Sequence, residues 1–212
     1  MARRKVSATR FEPFEAEARA AGCLCIAGVD EAGRGPLAGP VVAAAAILPD
    51  AFDVDGLCDS KRLTAPQREY LYGVLLRQAQ GYGLGIVSHT YIDRYNILQA
   101  TREAMRQAVA QLTSVPDLVL VDGVTPFPSA LPQHTLVQGD ARCASIAAAS
   151  ILAKVTRDRL MVTYAKRYPG YGFARHKGYP TREHYRRLRL YGPCAIHRRT
   201  FRGVCFQPEQ ET

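Results

Sequence analysis

Ile26-Ala-Gly-Val-Asp-Glu-Ala-Gly-Arg-Gly-Pro-Leu-Ala-Gly-Pro-Val-Val-Ala-Ala-Ala-Ala-Ile-Leu48 is the stretch that decides the fold. Ile26–Asp30 is a short apolar run with a β-branched Val29, and it ends in charge and glycine, which is how a buried strand ends. Gly33-Arg34-Gly35-Pro36 then interrupts regular structure. Pro40–Leu48 is continuously apolar and closed by Pro49, a length that suits a second buried strand. The connection between the two is too short for a crossover helix, so the sheet begins as a meander.

Working outward, Thr64 followed by Ala65-Pro66 forms an N-cap with an early proline for a helix over Arg68–Gln80. Tyr82–Ser88 reads as a strand and Tyr91–Leu112 as a long helix. Leu118–Val121 is a short buried strand ending at Asp122-Gly123, and Leu136–Gln138 is a further strand candidate. Cys143–Tyr168 is the strongest helix, Ala-rich and free of internal Gly or Pro, and helical signals return near Thr181–Leu190. Strands alternating with helices after an opening meander predict an α/β domain on a mixed sheet. Residues 1–22 read as a loose arm or short helix, and residues 203–212 as a polar tail.

Composition narrows the classes. The 212 residues carry a net charge of +9, and 47% are hydrophobic, which is ordinary for a globular chain and too apolar for disorder. No apolar run approaches the ~20 residues needed to span a bilayer, and no secretory signal follows Arg3–Lys5. The six cysteines form no CxxC and no zinc-finger spacing, so the expectation is reduced thiols in a cytoplasmic protein. The charge is unevenly placed. Residues 157–202 hold 13 Lys+Arg against Asp158 and Glu183, a local +11, while the rest of the chain is slightly acidic. Such an excess repels itself, and a polyanionic partner relieves it.

Three acidic positions end apolar runs: Asp30, Glu31 and Asp122. Ligand sites of open α/β sheets lie at strand ends. Carboxylates gathered there repel one another unless a cation holds them, and oxygen-only ligands favour Mg²⁺ or Mn²⁺ over zinc. Taken singly, each is also an ordinary turn former, and neighbouring side chains on a strand point to opposite faces. Gly33-Arg34-Gly35 offers close backbone approach and one cation to a phosphate or sugar hydroxyl, though it is equally a plain turn and is no P-loop. Asp59-Ser60-Lys61-Arg62 suits phosphate or is a solvated charge cluster. Asp140 reads either as a helix N-terminal partner or as a fourth metal-associated carboxylate. Asp158 reads as one half of a surface ion pair, and Cys143, close to Asp140, as an inert buried thiol or an oxidant-sensitive one.

The ordered set of these blocks resembles ribonuclease HII, the type 2 ribonuclease H. The blocks are Gly28–Pro40, Asp59-Ser-Lys-Arg-Leu63, Ile92-Asp-Arg-Tyr-Asn-Ile-Leu98, Val121-Asp-Gly123 and Gly139-Asp-Ala141. Ala147–Asp158, Tyr168-Pro-Gly-Tyr-Gly-Phe173 and His176-Lys-Gly-Tyr-Pro-Thr181 complete the set. The resemblance runs from about residue 25 to residue 202. It implies an RNase H-like core, a mixed five-stranded sheet flanked by helices with a C-terminal helical extension, in a catalytic domain over 23–202. It also implies endonucleolytic hydrolysis of RNA in RNA–DNA hybrids, with incision 5′ of single ribonucleotides embedded in duplex DNA. Carried over by position, Asp30, Glu31 and Asp122 are the metal carboxylates and Asp140 the fourth acid of the site, with two Mn²⁺ or Mg²⁺ ions as cofactor. Gly33, Arg34 and Gly35 sense the 2′-OH, Tyr179 packs at the RNA–DNA junction, and Ser60 and Lys61 contact phosphate. Lys177, Arg182, Arg186 and Arg187 are expected to supply the nucleic-acid surface of a monomer. A non-catalytic binding module and a junction resolvase of the same fold are the alternatives that a substrate panel separates.

Overall fold

The computed structural model describes residues 11–50, 52, 56–57, 60 and 63–205. Lys61 and the segment after Cys205 lie outside these residues. The strands are β1 (Ile26–Ala32), β2 (Val41–Ile47), β3 (Gly81–Val87), β4 (Leu118–Asp122) and β5 (Gln133–Leu136). They form one sheet in the order β3-β2-β1-β4-β5. β1–β2 and β2–β3 are antiparallel, whereas β1–β4 and β4–β5 are parallel. The opening meander and the mixed sheet both follow the expectation from sequence.

The helices are α1 (Phe14–Ala20), α2 (Ala65–Gln78), α3 (His89–Ala110), α4 (Gly139–Arg142), α5 (Ala144–Arg167), α6 (Phe173–His176) and α7 (Arg182–Tyr191). β2 is apolar at every position because both of its faces are covered. Val42, Ala44 and Ala46 pack with Leu71 and Leu75 of α2 and the alanine-rich face of α5. Val41, Ala43 and Ala45 pack with Ala100, Ala104 and Ala108 of α3. α5 lies close over β1 because Gly28 has no side chain, and a Cβ there would fall 2.2 Å from the Ser145 backbone carbon. A smaller core of Leu37, Met161, Tyr171, Phe173, Leu188 and Ile196 seats the C-terminal helices against α5 and the β1–β2 loop.

Local signals fixed most boundaries. Thr64 closes a full capping box with Gln67 at the start of α2. α3 is broken at Asn96 (φ 73°), whose side-chain oxygen accepts from Gln99 N at 3.0 Å and so caps the second stretch. β5 begins at Gln133, earlier than the apolar reading placed it. It is a short edge strand whose register is set by pairing Val119 with Gln133 and Asp122 with Leu136, not by apolar content.

Residues 11–22, read as a loose arm or a short helix, hold the short helix α1 in a docked segment. Glu15 accepts hydrogen bonds from Ser145 N (2.9 Å), Ser145 Oγ (3.0 Å) and Cys143 Sγ (3.0 Å), and Glu12 pairs with Arg142 at 2.7 Å. A carboxylate at the first turn of a 24-residue helix also answers its dipole. Cys143 is buried, and burial together with the Glu15 charge pushes its thiol up to about 12, the direction that disfavours the reactive thiolate. The thiols of Cys23, Cys25, Cys143, Cys194 and Cys205 are free. No described helix is long and apolar enough to cross a membrane.

Candidate active site

The parallel pairing of β1 with β4 brings two of the acids together. Val29 is in register with Val121, so Asp30 and Asp122 stand one residue further on at the same level of adjacent strands. Both share the sheet face of their i−2 neighbours Gly28 and Leu120, the face covered by α5. Glu31 starts from the opposite face, yet it lines the same cavity because that cavity opens at the strand's carboxyl end. The cavity, about 270 Å³, is lined by Asp30, Glu31 and Asp122, by Gly33-Arg34-Gly35, and by Ser60, Arg68, Ser150, Lys154 and Tyr179.

Its three carboxylates share a lining with three bases, Arg34, Arg68 and Lys154, but they crowd one another at the strand ends. Burial raises the Asp30 carboxyl well above the usual carboxylate range, and the charges of Glu31 and Asp122 add to that. A hydrogen bond with Ser150 and the Glu31 amide, which donates to Asp30 Oδ1 at 2.6 Å, opposes the rise. Glu31 is raised by burial, moderated by Arg34 at 3.3 Å and raised again by Asp122. Asp122 accepts from Gly139 N at 2.7 Å, which ties the start of α4 to the end of β4. Asp140, next in the chain, is buried on α4 and does not line this cavity.

Among the described residues no three His, Cys, Asp or Glu side chains converge into a ready-made metal cage. The donor set nevertheless fits a hard divalent ion. Mg²⁺ and ions like it are held by one or two carboxylates, with water and substrate phosphate filling the remaining positions. Asp30, raised by burial and by both of its acidic neighbours, and Glu31, raised by burial and by Asp122, carry the charge such an ion relieves.

The structure also assembles the other expected residues. A Cβ on Gly35 would touch the Tyr179 ring at 4.0 Å, so this loop and Tyr179 form facing walls of the cavity. Gly33 (φ 97°) is fixed twice over, since a Cβ there would lie 2.0 Å from Arg157 Nε. Ser60 is buried and bonded to Ser150 Oγ at 2.8 Å. A second cavity of about 670 Å³ continues past Arg68, Lys154 and Tyr179 to Arg159, Arg175, His176 and Lys177. A third, about 190 Å³, continues past Glu31, Arg34 and Asp122 to Leu98, Thr101, Arg102 and Met105. Arg182, Arg186 and Arg187 line none of the three.

Two bases counted in the +11 segment are not surface charges. Arg157 and Arg198 are both fully buried, each spending its donors on backbone carbonyls. Asp158 does form an ion pair, but its partner is Lys154 at 2.7 Å, one helical turn back, and not a flanking arginine. Arg68, Ser150 and Lys154 are site-lining residues missed by the sequence reading. Ser150 and Lys154 sit four apart on α5, a spacing that puts both on one helix face, and the motif Ala147–Asp158 contained that signal.

A mixed five-stranded sheet with carboxylates at the ends of its central strands is the frame of RNase H-like nucleases. The crystal structure of ribonuclease H2 from Pyrococcus horikoshii OT3 superposes with a TM-score of 0.71 and 30% identity, covering 85% of this chain and 95% of that one. The ribonuclease HII of Geobacter metallireducens is 56% identical over 183 residues, 86% of each chain. That of Syntrophotalea carbinolica is 56% identical over 191 residues, covering 90% of this chain and 91% of its own. The family model for ribonuclease HII matches residues 27–204, and the chain belongs to this family. It is therefore a ribonuclease H, a hydrolase acting as an endoribonuclease on RNA–DNA hybrids.

Proposed function

We propose that the enzyme cuts 5′ of single ribonucleotides embedded in duplex DNA as well as within hybrids, leaving 5′-phosphate and 3′-hydroxyl ends. The observation that carries this reading is the single cavity in which Asp30, Glu31 and Asp122 face Gly33-Arg34-Gly35 and Tyr179. It sets the acids within one substrate's width of a loop and a ring suited to a 2′-OH and a neighbouring sugar. Asp30, Glu31 and Asp122 would hold divalent ions, Mg²⁺ or Mn²⁺, with Asp140 as the fourth acid of the site. Such ions supply an activated water and stabilise the leaving 3′ oxygen. Arg34 and the exposed backbone of the loop recognise the 2′-OH that distinguishes RNA from DNA. Tyr179 packs on the sugar at the junction. Ser60, Lys61, Arg68 and Lys154 take the flanking phosphates, so binding needs no base-edge contact and cutting is largely independent of sequence.

The test is a DNA duplex carrying one ribonucleotide, incubated with Mg²⁺ or Mn²⁺. Cleavage on the 5′ side of the ribonucleotide is expected, with loss of cleavage in Asp30→Asn. No cleavage by the wild-type enzyme, or undiminished cleavage by Asp30→Asn, overturns the reading.

A further inference from the structure

The basic extension contains a buried chain of hydrogen bonds that joins the Gly33-Arg34-Gly35 loop to Tyr179. Arg198 donates from Nη1 to Arg34 O (2.9 Å), from Nη2 to Gly33 O (2.6 Å) and Pro40 O (3.1 Å), and from Nε to Gly39 O (3.0 Å). The adjacent residue faces the other way. His197 Nδ1 accepts from Cys194 N at 2.9 Å, so the ring's proton sits on Nε2. Nε2 then donates to His184 Nε2 at 3.0 Å. His184 in turn carries its proton on Nδ1 and donates to Tyr179 O at 3.0 Å. Every polar atom along this path has one role, and both rings must be neutral for it to hold. Both imidazoles are buried and packed against Phe173. Arg157 makes a parallel tie, from Ala38 O and Pro40 O to Lys177 O, two residues before Tyr179.

We propose that His184, His197 and Arg198 are positioning residues for junction selection. Together they set the gap between the loop and the Tyr179 ring, and so the preference for a ribonucleotide–deoxyribonucleotide step over continuous RNA. None of them lines the cavity that holds the acids, so none can touch the reacting phosphate. Their influence runs through the two elements they pin. The inference rests on the reading that Tyr179 and the loop select the junction.

The experiment measures kcat/KM on a single-ribonucleotide duplex and on a continuous RNA–DNA hybrid, and takes the ratio. The variants are His197→Asn, which keeps an acceptor for Cys194 N but cannot reach His184, Arg198→Lys, Tyr179→Ala, and the double variant of His197→Asn with Tyr179→Ala. Misfolding lowers both substrates together and leaves the ratio fixed. A shift in the gap lowers it, by up to about 100-fold for an ångström-scale displacement. Expected are a lowered ratio in His197→Asn, Arg198→Lys and Tyr179→Ala, and no further fall in the double variant, because the histidine acts through the tyrosine. If Tyr179→Ala lowers the ratio while both His197→Asn and Arg198→Lys leave it unchanged, the positioning role is wrong and the junction reading stands. If the double variant is additive, the histidine acts elsewhere and the proposal is also wrong. If Tyr179→Ala itself leaves the ratio unchanged, the junction reading falls and the proposal falls with it.

Discussion

Asp30 and Arg198 are both ionisable, both buried and both packed around the β1–β2 loop, and the charged form of each is disfavoured by burial and by like charge. Asp30 meets two such neighbours, but Arg198 meets one, Arg157, which adds to burial in lowering it to about 9. Arg198 is surrounded by carbonyl oxygens that accept its donors. Asp30 faces two more carboxylates, and its ionised form is disfavoured by burial and by both of them. A charge buried with satisfied partners is architecture. A charge buried among like charges is costly in the free protein and is relieved only by something that binds. The contrast therefore separates the residues that hold the site from those that act in it.

The largest effect should come from breaking the first side of the comparison. Asp30→Asn should lower cleavage by about 10²–10³-fold, as losing one preorganised charge-stabilising group does. In metal-free protein it should raise the melting temperature, because it removes a repulsive buried charge. Arg198→Met should do the reverse on the second count. The Gly33, Arg34 and Gly39 carbonyls lose this donor while Pro40 O keeps Arg157, and a destabilisation of about 3 kcal/mol is expected from chemical denaturation. If Asp30→Asn destabilises the metal-free protein as Arg198→Met does, the distinction between the two kinds of buried charge collapses.

Much of this division was readable in the sequence and part of it was not. Asp30, Glu31 and Asp122 announce themselves by ending apolar runs, and the parallel register of β1 with β4 then does what a sequence cannot display. Tyr179 was reached only through motif order, since nothing in its own neighbourhood marks it against the other tyrosines of the extension. The +11 count over residues 157–202 includes Arg157 and Arg198, because charge counting treats every arginine as solvated. Their role depends on backbone carbonyls of residues 33–40, more than a hundred positions away. Glu15 was invisible for a similar reason. Its partners, Cys143 and Ser145, are fixed only once α5 packs on β1 over Gly28.

The comparison extends to pH. The buried His184 and His197 are both depressed to about 4, chiefly by desolvation, with neighbouring histidines adding to it. Above the ordinary histidine value of 6.5 both are neutral folded or unfolded and cost nothing. Between about 6.5 and about 4 only the unfolded chain takes up the protons, so stability falls as pH drops through that window. Asp30 and Glu31 work in the opposite direction, because a raised carboxylate pKa gives stability that is present at low pH and lost as pH rises through it. Metal-free melting curves should therefore show a fall below pH 6.5 that is weaker in His184→Gln than in the wild type. An equal fall in both would remove His184 from the account.

The smallest effect is expected from charges that line none of the three cavities. Arg186 and Arg187 line none of the cavities, and Arg187 reaches only the Tyr191 hydroxyl at 3.4 Å. Lys154 and Lys177 line the 670 Å³ cavity that continues from the acids, and Lys154 lines both. Removing two side chains that each hold a phosphate should flatten the dependence of log affinity on log salt by about 2. Alanine at Lys154 and Lys177 should approach that limit, while alanine at Arg186 and Arg187 should change the slope by less than about 1 and leave turnover at saturating substrate unchanged. Binding of a hybrid duplex at several salt concentrations checks both pairs. If the Arg186/Arg187 pair produces the larger change in slope, the duplex lies over α7 and not along the cavity, and the basic segment was read correctly from its charge count alone.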